Sequence, residues 1–204
     1  LKVNDFNGKG LEVMTTIYFV RHAHSTYTKE ERERPLSEKG WLDAKNITSL
    51  LKDEKIDVVI SSPYKRAIQT VEGIASVNKL SIQLEEDLRE RLLSKDPVED
   101  FHDAIQKVWE DWTFVYEGGE SNDVAQKRAV ICMQNILEKY KGKNIVIGTH
   151  GNIMVLLMNY FDATYDFHFW KTLLMPDVFK LTFHNESLVS AGRIEHTGHQ
   201  VNNL

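Results

Sequence analysis

The residues of this chain best equipped for chemistry stand where apolar runs stop. The run "IYFV" ends in Arg21 and His22, with His24 two positions further on. Two chemistries suit that arrangement. His22 and His24, at i and i+2 on an extended chain, face the same side and are a candidate metal pair. A metal site needs further ligands close by, usually carboxylates, yet Ser25, Thr26, Tyr27 and Thr28 follow, and "THGNIM" offers only His150. The second chemistry is nucleophilic. A neutral imidazole attacks phosphorus and forms a phosphohistidine, provided that cations offset the negative phosphoryl oxygens. Arg21 adjoins His22, and Arg66 falls in the first turn of a helix expected to start at Ser62–Pro63, where free N–H groups also favour an anion. Arginine suits this role because its fork matches phosphate oxygens and stays charged. A protonated His150 adds a further donor. A departing alkoxide needs a proton, and Glu90 in "DLRERLLS" is the candidate acid.

Each of these residues also has an ordinary reading. Arg66 alone would be a solvated helix residue, and His150 a hydrogen-bonded strand end. Glu90 has the spacing of a surface salt bridge with Arg89 or Arg91. His24 is either an additional pH-dependent cation or an outward-facing residue bonded to a loop. His102, His168, His184, His196 and His199 have no such residues around them.

The elements that must position these groups alternate. Residues 17–22 read as a buried strand. Ser37 caps a helix with Leu42, Ala44, Ile47, Leu50 and Leu51 on one face. "IDVVISS" is a short run of the parallel-strand type, and Ser62 and Pro63 suit the N-cap and first position of the next helix. "LSIQLEEDL" is a third strand. Asp96 and Pro97 open a helix with Val98, Phe101, Ile105, Val108 and Trp112 on one stripe. "YEGGES" precedes a long helix to about Tyr140, and "KNIVIGTH" and "GNIMVLLMNYF" are a strand and a helix. "DVFKLTFH" and the region of "LVSAGRIEH" read as strands nearer an edge. The alternation predicts an α/β fold, a mostly parallel sheet covered on both faces. In such sheets sites form beyond the carboxyl ends of the strands, where Arg21–His22, Ser61–Ser62, Glu90 and Thr149–His150 all fall.

Composition narrows the function. With 204 residues, 42% of them apolar, the chain suits one domain with a sizeable core. A net charge of −5 argues against sequence-independent nucleic-acid binding. No apolar run approaches a membrane span, and no secretory pattern heads the chain. The single cysteine, Cys132, lies among apolar helix positions as core filler and fits a reducing cytosol. These features predict a cytoplasmic protein with no membrane or nucleic-acid partner. Residues 1–13 are read as a vector-derived or leader extension before Met14, and 14–204 as one domain with a short cap around 92–118.

Several segments together resemble the histidine phosphatase superfamily, which includes the cofactor-dependent phosphoglycerate mutases. "VRHAHS" is similar to its Arg-His-Gly nucleophile motif, and "PLSEKGWLDA" to the stretch opening its next helix. "SSPYKRAIQTVEGIA" matches its Ser-Ser-Pro-x-x-Arg-x-x-Gln-Thr segment, "LRERLLS" the acid segment, "GGES" the turn before the long helix, and "IGTHGNIM" the second-histidine motif. The motifs occur in family order over roughly residues 16–160. The resemblance implies a three-layer α/β/α sandwich of phosphoglycerate mutase-like fold, with His22 as nucleophile and Arg21, Arg66 and His150 on the phosphoryl group. It implies Glu90 as proton donor and later base, and no metal or other cofactor. The sequence departs from the pattern at Ala23, His24, Thr28 and "LLSKDPVEDF". His24, Thr28 and Arg91 are accordingly candidates to shape the substrate pocket.

Mutases of that family carry longer insertions over the site, for which this chain has little room. The expected activity is metal-independent hydrolysis of small phosphomonoesters, in the phosphatase branch. A phosphoglycerate mutase is the runner-up, and a non-catalytic phospho-ligand binder is a third reading against which the retained His22 and Glu90 argue. Trp109, Trp112, Phe114 and Tyr116 are read as the core of the cap.

Overall fold

The computed structural model describes residues 13–196. The chain runs β1 (Met14–Arg21), α1 (Glu38–Leu50), β2 (Val58–Ser61), α2 (Lys65–Val77), β3 (Ile82–Leu84), α3 (Phe101–Glu110), α4 (Asn122–Lys139), β4 (Asn144–Thr149), α5 (Gly151–Phe161), α6 (Phe167–Trp170), β5 (Asp177–His184) and β6 (Ser187–Arg193). The six strands form one sheet in the order β3-β2-β4-β1-β5-β6. β1, β2, β3 and β4 pair in parallel, while β5 runs antiparallel to both β1 and β6. β5 and β6 thus lie toward one side of the sheet, as their sequence suggested, with β6 at the edge and β5 next to it; among the described residues the edges are β3 and β6.

Alternation along each strand divides the core into two layers. Ile17, Phe19, Ile60, Ile145, Ile147, Phe179 and Leu181 face the layer that contains α3, α4 and α5. Tyr18, Val20, Val59, Val146 and Val178 face the layer of α1 and α2. The same parity aims the two residues at the end of β1. Arg21 continues the face of Ile17 and Phe19 and meets α5, whereas His22 continues the face of Tyr18 and Val20 and meets α2.

Three helix expectations need correction. Ser37 does cap α1, accepting from Gly40 N at 3.1 Å, but Leu42 is 62% exposed; the buried face is Gly40, Ala44 and Ile47. α2 starts at Lys65, with Tyr64 still extended (φ −74°, ψ 130°), so Ser62 and Pro63 precede the helix. α3 starts at Phe101 with Asp100 as its cap, not at Asp96–Pro97. Phe101 is exposed, and the buried stripe is Ala104, Ile105, Val108 and Trp109. Trp109 and Trp112 meet edge to face, as do Phe114 and Tyr116, and all four pack on the layer of α4 and α5. The short α6 and the 3-10 helix Glu31–Glu33 had no counterpart in the reading of the sequence. The extension assigned to residues 1–13 lies outside the described residues except for Val13.

Candidate active site

The ends of β1, β2 and β4 are neighbours in the sheet, and they bring His22, Ser62 and His150 together. The His22 and His150 ring centroids lie 5.2 Å apart. Both rings are buried, and burial beside Arg66 and Arg21 pushes both imidazoles well below the usual histidine range, so both are neutral at pH 7. His22 Nδ1 lies 2.8 Å from Ala23 O. A carbonyl only accepts, so Nδ1 carries the proton and Nε2 is unprotonated. Arg66 Nε donates to that Nε2 at 3.2 Å.

The loop after β1 is tied to α2 through Thr70, whose Oγ1 accepts from Ala23 N (3.0 Å) and donates to Arg66 O (2.7 Å). Arg66, 5% exposed, also donates through Nη1 to Glu31 O at 2.8 Å and to Glu31 Oε2 at 3.0 Å. Arg21, 6% exposed, donates to Leu174 O at 2.9 Å, and its buried Nε has no partner. Gly151 makes room for it: a Cβ there would stand 2.9 Å from Arg21 Nε and 3.1 Å from Cζ. Behind Arg21 lies Asp177, fully buried on the adjacent strand, whose charge favours the guanidinium.

His150 Nε2 shares a 2.7 Å hydrogen bond with Ser62 Oγ, while its buried Nδ1 has no partner. Tyr64 packs edge-on against the His150 ring at 4.9 Å, and the Arg66 guanidinium lies 4.9 Å from the Tyr64 ring centroid. The sequence placed Ser62 at a strand end where a site would form but gave its side chain only the part of a helix cap. The later start of α2 leaves its hydroxyl to the histidine.

Glu90 forms no ion pair with Arg89 or Arg91. Arg89 pairs with Asp87 and Glu120 instead. Glu90 reaches the N-terminus of α5, accepting from Asn152 N (3.1 Å) through Oε2 and from Ile153 N (3.0 Å) and Arg91 N (2.9 Å) through Oε1. Thr149 Oγ1, which donates to Leu88 O at 3.0 Å, ties its segment to the tip of β4. The charge of Glu90 acts on Arg21, Arg66 and Tyr64. Arg91 is 4% exposed and its Nε and Nη1 have no partner.

The remaining candidates lie further out. His24 is exposed and bonds through Nδ1 to Ser37 Oγ (2.8 Å), bracing the cap of α1. Thr28 donates to Glu30 O. Among the described residues no three His, Cys, Asp or Glu side chains converge as a metal-binding group. Cys132 is buried, and burial pushes its thiol up to about 12.

A buried cradle of two arginines and two neutral imidazoles, with a carboxylate beside it at a helix N-terminus, is suited to phosphoryl transfer. The comparisons agree. A model of the histidine phosphatase superfamily (branch 1) matches residues 17–188, and the chain belongs to that superfamily. It is 31% identical over 154 residues to phosphoglycerate mutase-like protein 4 of Arabidopsis thaliana, covering 68% of this chain and 67% of that protein. It is 29% identical over 157 residues to the metal-independent phosphoserine phosphatase of the same plant, covering 69% of this chain and 66% of the relative. The solved structure of YhfR from Bacillus stearothermophilus superposes with a TM-score of 0.71 at 26% identity, over 85% of this chain and 94% of that one.

Proposed function

We propose that the chain hydrolyses small phosphomonoesters through a phosphohistidine at His22. The observation that carries this reading is the unprotonated His22 Nε2, buried and held against Arg66 with Arg21 and His150 alongside. Nε2 attacks phosphorus and the P–O ester bond breaks. Its electron pair goes to the alcohol oxygen, which takes a proton from Glu90. Water then attacks phosphorus, giving its proton to Glu90 as the P–N bond breaks, and inorganic phosphate leaves. Arg21, Arg66 and His150 hold the phosphoryl oxygens throughout, and Ser62 orients His150. No metal is assigned a part, in keeping with the name of the phosphoserine phosphatase relative.

His24, Thr28 and Arg91 are the proposed pocket residues. Arg91 has the strongest support: a buried guanidinium with unused donors next to Glu90 suits an acidic group on the substrate. A phosphoglycerate mutase is the second reading, favoured by the name of the 31% identical relative. Among the described residues no helix is long and apolar enough to cross a membrane, and the proposed place of work is the cytosol, with small molecules as partners.

The test is a panel of phosphomonoesters assayed in EDTA, with rapid acid and base quench of labelled substrate. An acid-labile, base-stable phosphoenzyme is expected in the wild type and absent from His22→Ala. Label retained in the variant, or turnover that needs added zinc or manganese, overturns the reading.

A further inference from the structure

Glu31 sits on the 3-10 helix Glu31–Glu33, in a polar run that reads as solvated surface. Its carboxylate is nonetheless engaged inward. One oxygen accepts from Arg66 Nη1 at 3.0 Å and the other from Arg34 Nη1. The Arg66 guanidinium thus has its Nε edge on His22 and its Nη1 on Glu31. An anion that reaches His22 must share this guanidinium with Glu31. Arg34 belongs to the same group of charges. It donates to Ser25 Oγ at 3.2 Å, its Nε is buried without a partner, and its charge is felt by both His22 and Arg66.

We propose that Glu31 is a built-in competitor for the phosphate site: its carboxylate occupies Arg66 and Arg34 until a phosphoryl group displaces it, and Arg34 then becomes a phosphoryl ligand. This rests on the phosphate site assigned above. The physical argument is a balance of charge and burial. A buried guanidinium without a counter-ion is costly, so a carboxylate on Arg66 keeps the site folded between turnovers. A phosphate monoester carries close to two negative charges and three acceptor oxygens, against one charge and two oxygens for a carboxylate, and charge-assisted forks to arginine favour it. Release costs Glu31 little, because its side chain is already 47% exposed, whereas those of Arg66 and Arg34 are 6% and 23% exposed. The arrangement favours dianionic phosphomonoesters over singly charged diesters, which displace a carboxylate less well.

A structural clamp that merely aims Arg66 would give the opposite sign on removal, so the sign decides. Inorganic phosphate is titrated calorimetrically into the wild type, Glu31→Gln, Glu31→Ala, Arg34→Gln and the Glu31→Gln/Arg34→Gln double variant, each first shown to be folded by a cooperative thermal unfolding transition above the assay temperature. Phosphate is expected to bind both Glu31 variants tighter, on the order of tenfold, and Arg34→Gln to remove most of that gain in the double variant. Weaker or unchanged binding in both Glu31 variants overturns the proposal, as does a gain that survives Arg34→Gln. Absence of detectable phosphate binding to the wild type and to both Glu31 variants also overturns it. The phosphatase reading fails separately: phosphate that tightens as expected in a protein hydrolysing no ester of the panel leaves the competitor in place and removes the activity.

Discussion

Glu90 has two tasks in this molecule, and they can be separated. Its carboxylate oxygens take up N–H groups at the start of α5, and the proposed chemistry also asks it for a proton. Glu90→Gln keeps an acceptor oxygen for the helix but has no proton to give. General acid catalysis is worth roughly 10²–10⁴-fold, so the variant should lose about that much on an alkyl phosphate. On nitrophenyl phosphate, whose leaving group needs no proton, the phosphorylation step should slow far less. A small and equal loss on both esters would leave Glu90 as a cap alone. At this scale the types of the main residues were legible: Arg21, His22, Arg66 and His150 stand at strand and helix ends in the sequence and meet in the structure. Glu31 was not legible, because in "TKEERERP" it looks like any solvated charge and only the fold turns it inward. Ser62 was placed at a strand end by the sequence, but its bond to His150 was not legible, because a local capping rule that the real start of α2 leaves unused claimed its hydroxyl.

The N-terminus of α5 joins three parts of the site, His150, Glu90 and Arg21. Its N-cap, His150, offers no side-chain cap, so the free N–H groups are met by Glu90 from a segment 60-odd residues earlier. Local sequence signals do not reveal a cap supplied over that distance, whereas the apolar helix itself, buried from Ile153 to Met158, was plain in "GNIMVLLMNYF". The first residue of α5 sets how closely the helix approaches Arg21. In Gly151→Ala the new methyl would contact Arg21 Nε and Cζ, and the guanidinium is already held at Leu174 O. The guanidinium must shift, and misplacement on that scale costs up to about 10²-fold in kcat/KM. Alanine is also the better helix former by about 1 kcal/mol, which offsets strain, so Tm should change little. Steady-state kinetics and a thermal melt together check this; an unchanged kcat/KM would show that Arg21 need not sit where it does.

Across the whole molecule, the two buried histidines link the site to stability. Their folded-state pKa values lie well below the value of about 6.5 in an unfolded chain. As pH falls below about 6.5, the unfolded state binds protons that the folded state refuses, and stability drops by up to roughly 1.4 kcal/mol per pH unit for each group. The contribution is intact above that pH and is lost on the way down to the folded-state pKa. Urea midpoints between pH 8 and pH 5 should therefore fall less steeply in His22→Asn and His150→Asn than in the wild type, whatever the variants do at pH 8. Equal slopes would mean that neither ring is buried neutral. The layered architecture was readable from alternation alone, but strand order was not, since a sequence lists strands without saying which lie side by side. That order has a consequence during synthesis. β4 lies between β1 and β2, so the two strands of this sheet that are synthesised earliest have no partner in each other. At roughly 5–20 residues per second, β1 waits on the order of ten seconds for β4. Its unpaired backbone edge and apolar faces remain open to chaperones and to neighbouring nascent chains until Asn144–Thr149 pairs beside it.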